Sequence, residues 1–336
     1  MTDLPAIQVE SITTVRKDAN HNAFTDLCVY SGRFYLTFRS SPDGHRVSSC
    51  ARVVVLESDD ALTWSEAFTF SVPGRDTRDP HFLVFRGSLF VYTGTWLLHG
   101  EGVPLNLNEH LGYAAWTDDG SGWNGPAQME GTYGHYIWRA ASHGDRAYLC
   151  GRRRRGYGSG IEDEQQPGSI ESAMLTSADG LVWYFHSLFA GDYGDETAFL
   201  FEEDGSALAL VRDGAGKRAR ICRSAPPWKA WTSACLERNV GGPLIVRWGG
   251  RYLVGGRKSM GDTAATSLWW LHGDALHEAV ELPSGGDSSY PGFVALSEER
   301  GLLSYYSSHE GGTAVYLAEL ALGQGRGAQA SGGIRP

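Results

Sequence analysis

Six glycine-centred turns punctuate the chain, at Gly32, Gly87, Gly144, Gly205, Gly250 and Gly301, and each leads into a short strand rich in aromatic and branched residues. Those strands read GRFYLTFR, GSLFVYTG, GDRAYLCG, DGSALALVR, GGRYLVGGR and RGLLSYYS. The glycines lie 55, 57, 61, 45 and 51 residues apart, which fits a four-stranded unit of roughly 40 to 50 residues plus loops of variable length. Before each turn lies a run able to form an inner strand: FTDLCVY, DPHFLVF, WRAASH, ETAFLFEE, GPLIVRW and YPGFVAL. The chain is therefore predicted to be all-β, a six-bladed β-propeller of four-stranded antiparallel blades. Residues 1–320 form its single domain, with Ile7 to Val15 supplying the outer strand of the last blade and closing the ring. Residues 321–336 are Gly- and Ala-rich without apolar periodicity and are predicted to be a disordered tail.

Composition agrees with this architecture. The 336 residues include 44 Gly, 11 Trp and 15 Tyr with only 20% charged side chains, as expected for tight turns around large apolar interfaces. No apolar run reaches the roughly 18 residues of a membrane-spanning helix, so no membrane partner is expected. The opening MTDLPAIQVESITTVRK lacks the basic segment, apolar run and cleavage site of a secretory signal, which predicts a cytoplasmic protein or one already trimmed. The net charge of −10 argues against a nucleic-acid partner, since phosphate binding needs a concentrated basic face. Cys28, Cys50, Cys150, Cys222 and Cys235 are odd in number and scattered, and are expected to be buried free thiols. No Cys or His pair has a metal-ligand spacing, so no metal is expected, and no cofactor is implied. Arg152 to Arg155, followed by GYGSGIEDEQQPGS with its Glu162, Asp163 and Glu164, are expected in a solvated loop inserted in the third blade.

A propeller concentrates chemistry at one end of its axis, where the inner strands begin and the second strands end. The inner-strand openings carry His21, Asn22 and Asp26; Arg78, Asp79 and His81; Trp138 and Arg139; Asp195 and Glu196; Asn239; and Asp287 with Tyr290. The second-strand ends add Arg39, Arg212, Arg257 and the run Tyr305, Tyr306, Ser307, Ser308, His309. Ionisable groups gathering at one end of nearly every blade point to a functional binding or catalytic cluster.

Three third strands end in polar turns closed by tryptophan: ESDDALTW at Trp64, WTDDGSGW at Trp123 and TSADGLVW at Trp183. These resemble the Asp-box turns of the sialidase superfamily. With the segments DETAFLFEEDGSALALVRDG, VGGPLIV, PSGGDSSYPGFVAL and LLSYYSSHEG, the chain resembles sialidase-like six-bladed propellers over about residues 18–320, and in particular bacterial members with an HNAFTDL opening. The resemblance implies a tyrosine nucleophile activated by a glutamate, an aspartate acid/base and three arginines on a substrate carboxylate. Tyr290 then matches the nucleophile, Glu196 its partner and Arg212 one arginine. Two departures stand out. His21-Asn22-Ala23 occupies the first-blade arginine position, and the third arginine falls near Ala265-Thr266, where none exists.

The general acid in such a family lies in the loop after the first blade's second strand, here SSPDGHRVSS. Asp43 is the preferred candidate, with His45 and Asp79 as alternatives. The sequence thus predicts a retaining exo-type glycoside hydrolase with Tyr290 and Glu196 as its catalytic pair and Asp43 or Asp79 as acid. Arg212, Arg39, Arg78, Arg139, Arg257, His21, Asn22, Asp26, Asn239, Asp287, Tyr306 and His309 would contact an acidic or polyhydroxylated sugar other than common sialosides. A polysaccharide lyase, with Tyr290 or His21 removing a proton next to a uronate carboxylate, and a non-catalytic carbohydrate-binding propeller are the alternatives.

Overall fold

The computed structural model describes residues 4–100, 102–155, 169–261 and 263–323. Among them, twenty-four strands form six four-stranded sheets, and one 3₁₀ turn, Leu107–Glu109, interrupts the pattern. The strand β1 (Ile7–Arg16) is set aside for the last blade. Blade 1 is β2 (His21–Tyr30), β3 (Arg33–Ser41), β4 (Arg52–Ser58) and β5 (Ser65–Phe70). Blade 2 is β6 (Arg75–Phe85), β7 (Ser88–Leu97), β8 (Leu111–Thr117) and β9 (Trp123–Gln128). Blade 3 is β10 (Tyr136–His143), β11 (Arg146–Arg154), β12 (Ile170–Ser177) and β13 (Trp183–Ala190). Blade 4 is β14 (Gly194–Phe201), β15 (Ala207–Asp213), β16 (Arg220–Ser224) and β17 (Thr232–Cys235). Blade 5 is β18 (Gly241–Trp248), β19 (Arg251–Met260), β20 (Thr263–His272) and β21 (Ala275–Leu282). Blade 6 is β22 (Ser288–Ala295), β23 (Arg300–Ser307) and β24 (Ala314–Leu322), completed by β1. The chain is the expected all-β six-bladed propeller.

The inner strands β2, β6, β10, β14, β18 and β22 each touch the next, and β22 returns to β2. Apolar residues face out of both sides of every sheet, so the core lies between blades. One cluster joins Leu83, Phe90 and Tyr92 of blade 2 to Leu149, Leu175 and Trp183 of blade 3. Another joins Leu208, Leu210 and Ile221 of blade 4 to Ile245, Val254 and Trp269 of blade 5. The three Trp-closed turns fold alike: Asp60, Asp119 and Asp179 each accept two backbone N–H bonds from residues two and three positions on. Such a side chain replaces the missing ladder partners of the turn.

β1 pairs antiparallel with β24, from Ile7 opposite Leu322 to Arg16 opposite Val315. β24 therefore includes Ala321 and Leu322, two residues that the sequence assigned to a tail. Leu322 is apolar and packs on the cluster between blades 5 and 6. Residues 324–336 lie outside the described residues.

Two further expectations change. Arg152, Arg153 and Arg154 are not in a solvated loop: they continue β11 opposite Ser172, Glu171 and Ile170. Arg152 meets Asp195 at 2.8 Å and Arg153 meets Glu171 at 2.6 Å, so acidic groups elsewhere in the fold accommodate the arginine run. The stretch 156–168, with Glu162, Asp163 and Glu164, lies outside the described residues. Of the five free cysteines, Cys150 and Cys222 are buried and Cys28 is half-buried, whereas Cys50 and Cys235 are exposed. Cys50 lies on a loop and Cys235 ends an outer strand.

Candidate active site

Every inner strand contains the same irregularity. Two of its residues stand opposite a single residue of the second strand: Phe24-Thr25, Asp79-Pro80, Trp138-Arg139, Asp195-Glu196, Gly242-Pro243 and Tyr290-Pro291. A β-bulge re-aims side chains that a regular pleat would send into the neighbouring blade. Phe24, Asp79, Gly242 and Tyr290 adopt φ of 61°, 53°, 57° and 52°, a left-handed conformation that costs a non-glycine residue on the order of 1 kcal/mol or more. Three of the bulges are X-Pro pairs, consistent with proline lacking the N–H that a regular ladder needs.

Three bulges meet at Glu196. Its Oε1 accepts the phenolic O–H of Tyr290 at 2.8 Å. Its Oε2 accepts Arg212 Nη1 at 2.7 Å and the backbone N–H of Gly242 at 3.0 Å. Charge-assisted and backbone bonds thus fix one oxygen, leaving the other aimed at the phenol. Arg212 Nη1 also donates to the Tyr290 oxygen at 3.2 Å. Burial and then the Glu196 charge push the Tyr290 phenol far above its ordinary range. It is therefore a neutral phenol at rest, with a carboxylate oxygen in hydrogen-bond contact.

Asp79 occupies the equivalent bulge of blade 2. Burial, reinforced by the charge of Glu196, raises its carboxyl to about 6. Tyr136 donates its hydroxyl to Asp79 Oδ2, and the guanidinium of Arg152 lies 4.8 Å over the Tyr136 ring.

Arg257 lies opposite Thr266 across the β19–β20 ladder, so the neighbouring strand brings an arginine beside the position where the sequence lacks one. Its guanidinium sits 5.2 Å over the Tyr290 ring, and Gly241 lies against both Arg257 and Arg212. Arg257 donates to Ser288 O at 2.9 Å, Tyr306 O at the phenol at 2.9 Å and Asp287 Oδ1 at 3.2 Å. Arg212 Nη2 and Arg257 Nη1 make no hydrogen bond within the described residues, and both side chains are about a quarter exposed. Asp287 also accepts His21 Nε2 at 2.8 Å and His45 Nδ1 at 2.7 Å, both on Oδ2. Burial opposes its charge, but these bonds and Arg257 hold its carboxyl well below the usual carboxylate range.

Tyr290, Glu196, Arg212, Arg257, Tyr306, Asp287 and His21 thus form one contiguous group, with Asp79 close enough for its charge to act on Glu196 and Tyr290. Other predicted residues serve the frame. Arg39 is fully buried; it bonds Asp76 at 3.1 Å, Gly44 O at 3.1 Å and Arg46 O at 2.8 Å. Arg78 bonds Asp76 at 2.8 Å and His45 O at 3.0 Å. Arg139 spans the channel, donating to Asp26 at 3.1 Å, Pro243 O at 2.8 Å and Pro291 O at 2.5 Å. Asp26 is consumed by Arg139 and the N–H of Phe82. Asn22 is buried and donates to Asp18 at 2.9 Å, and Asn239 lies on the approach to β18. His309 turns away to Ser307, at 2.9 Å, and the Tyr316 ring. Asp43 is exposed and accepts the hydroxyl of Ser48, within its own loop, at 2.5 Å. Sequence reasoning did not single out Asp76 or Gly242; the Gly242-Pro243 dipeptide within an apolar strand was the available signal.

No protein-family profile matches the chain, and no curated protein is significantly similar to it. Solved structures share its fold. A protein of unknown function from Dyadobacter fermentans is 21% identical, with a TM-score of 0.79, over 95% of this chain and 100% of that one. The sialidase of Trypanosoma rangeli in complex with the inhibitor DANA is 12% identical, with a TM-score of 0.68, over 93% of this chain. This chain spans 58% of that sialidase. A mutant α-L-arabinofuranosidase from Fusarium graminearum in complex with an iminosugar inhibitor is 13% identical, with a TM-score of 0.64, over 90% of this chain and 93% of that one. The class that the fold defines is a six-bladed propeller of sialidase-like architecture, and at these identities the likeness is one of fold alone.

Proposed function

We propose that the protein is a carbohydrate-active enzyme that cleaves a glycosidic bond with net retention of configuration. The observation that carries this reading is the Tyr290–Glu196 contact of 2.8 Å, with the second glutamate oxygen locked by Arg212 and Gly242. The Tyr290 oxygen attacks the anomeric carbon as its proton passes to Glu196 Oε1. The glycosidic C–O bond breaks, and the departing oxygen takes a proton from Asp79, whose value of about 6 suits an acid that is later a base. Water then attacks the anomeric carbon and gives its proton to Asp79; the tyrosyl C–O bond breaks and the phenol recovers its proton from Glu196. The unpaired N–H groups of Arg212 and Arg257 suit an anionic or densely hydroxylated sugar.

A screen of acidic and neutral glycosides with product analysis by NMR tests this reading. A product that first appears with the substrate's anomeric configuration, and whose release is abolished in Tyr290→Phe, is expected. An inverted first product, or no turnover of any glycoside, would overturn it. One observation favours a second reading: two histidines flank Asp287 beside Arg257, the arrangement a lyase needs to remove a proton next to a carboxylate held by arginine. An unsaturated product absorbing in the ultraviolet distinguishes that reaction.

A further inference from the structure

We propose that His21, His45 and Asp287 form a binding site for one divalent transition-metal ion at the rim of the Tyr290 cleft. The three residues come from the start of β2, the loop between β3 and β4, and the approach to β22. Their spacing along the chain hides the set, which is why a search for paired ligands in the sequence finds nothing. In the fold, His21 Nε2 and His45 Nδ1 lie 2.8 and 2.7 Å from the same carboxylate oxygen. All three ligand atoms lie within 4.8 Å of one another.

Two imidazoles and a carboxylate are the mixed nitrogen and oxygen set preferred by zinc and its first-row neighbours; magnesium and calcium favour oxygen alone. An ion with bonds of about 2.0 to 2.2 Å separates its ligand atoms by about 3.3 Å in a tetrahedral arrangement. The pairs here must open by roughly half an ångström, and the His45 side chain, 55% exposed, is free to move that far. Among the described residues no hydrogen bond holds His21 Nδ1, so the ring proton can reside there when Nε2 binds the ion.

The surroundings are built for such a site. Asp287 is anchored through Oδ1 by Tyr306 at 2.9 Å and Arg257 at 3.2 Å, which leaves Oδ2 for the histidines. Outer-shell bonds of this kind orient metal ligands. The exposed loop that carries His45 is gripped by buried cations: Arg78 binds His45 O, and Arg39 binds Gly44 O and Arg46 O. Asp287 and His45 remain partly open to solvent, so three protein ligands leave a free coordination position, the pattern of an exchangeable rather than a structural site. Phe24 lies 5.5 Å from the His45 ring and 5.0 Å from Tyr290. The open position thus borders the cleft, where a hydroxyl or carboxylate of a bound sugar can fill it.

The site stands independently of the glycosidase reading, because its test reads binding and not turnover. The full chain, stripped with a chelator and dialysed, is titrated with Co2+ by visible absorption and with Zn2+ by calorimetry. One equivalent per chain is expected, with cobalt bands typical of nitrogen and oxygen ligation and a raised melting temperature. His45→Ala and Asp287→Asn should each weaken binding at least 100-fold, while His277→Ala, on the outer strand of blade 5, should bind like the parent. His45 is exposed enough for its variant to fold, which circular dichroism verifies. Absence of stoichiometric binding to the parent protein, or unchanged affinity in a folded His45→Ala, overturns the proposal and leaves a metal-free His-Asp-His hydrogen-bonded group.

Discussion

Gly242 lies flat against the ring of Tyr290, so close that a Cβ at position 242 would stand 2.6 Å from the tyrosine Cδ2. The same residue has a φ of 57° and donates its N–H to Glu196 at 3.0 Å. Gly242→Ala should therefore displace the phenol from Glu196 as well as strain the backbone. A loss of about 1–3 kcal/mol in urea unfolding is expected, with a fall of at least tenfold in kcat on any glycoside the protein hydrolyses. Parent-like kcat in the alanine variant would show that the Tyr290–Glu196 alignment tolerates this shift and is not required.

Tyr290→Phe removes one oxygen and keeps the ring between Phe24, at 5.0 Å, and Trp138, at 5.4 Å. The hydroxyl bonds both Glu196 and Arg212, so folding stability should fall by about 1.5–3 kcal/mol, the range for hydrogen bonds to charged groups. Turnover of a glycoside should drop by several powers of ten. Side-by-side melting curves and single-turnover kinetics separate the two effects, and a variant with more than a tenth of parental turnover would remove Tyr290 from the chemistry.

Asp76 is fully buried beneath Arg39 and Arg78. Asp76→Ala leaves two buried guanidinium groups without their counter-charge, and removing one partner of such a pair typically costs about 3–5 kcal/mol. The loss should be accompanied by faster amide exchange in residues 42–51, because Arg39 and Arg78 would no longer be held to grip that loop. Unaltered exchange there would show that the loop is anchored by other contacts.

The raised Asp79 carboxyl carries a defined pH signature. Its folded value of about 6 lies above the ordinary 3.8, so the folded state binds this proton more tightly than the unfolded chain. The resulting stabilisation is complete below about pH 4 and disappears as pH rises through 6; ionised Asp79 then carries a relative penalty of up to roughly 3 kcal/mol. Asp79→Asn cannot ionise, so it should gain stability relative to the parent between pH 4 and pH 7. Urea unfolding of both proteins at these two pH values measures the gain, and parallel behaviour would refute the assignment.

Much of this molecule is visible in its sequence because local rules act on local patterns. The turn glycines and the Asp-Trp turns mark blade edges, and the pairing of Glu196 with Arg212 lies in adjacent strands of one hairpin. Tyr290 could be placed opposite them because ring geometry brings the inner-strand openings together. The roles of the arginines were less legible. Arg39, Arg139 and Arg257 all sit near strand ends, yet only Arg257 presents free donors to the cleft; buried partners from other blades decide the matter. His45 and Asp287 are separated by most of the chain, and no periodicity reports such a meeting. The bulges themselves leave a trace only where a proline follows, as at Asp79, Gly242 and Tyr290.

The ring is fastened by the pairing of Ile7 with Leu322 and its neighbours, contacts between almost opposite ends of the described chain. Loop-closure entropy makes such a pairing slow, so this seam should be among the last parts to set during folding. Glu196 and Tyr290 belong to blades 4 and 6, while the Phe24 ring that abuts the tyrosine comes from blade 1, across the seam. During synthesis, blades 1 to 5 can emerge and pack while the cleft is still missing a wall. The Tyr290 environment is thus incomplete until the circle is whole, and any catalytic power the protein has is a property of the closed ring and of no fragment of it.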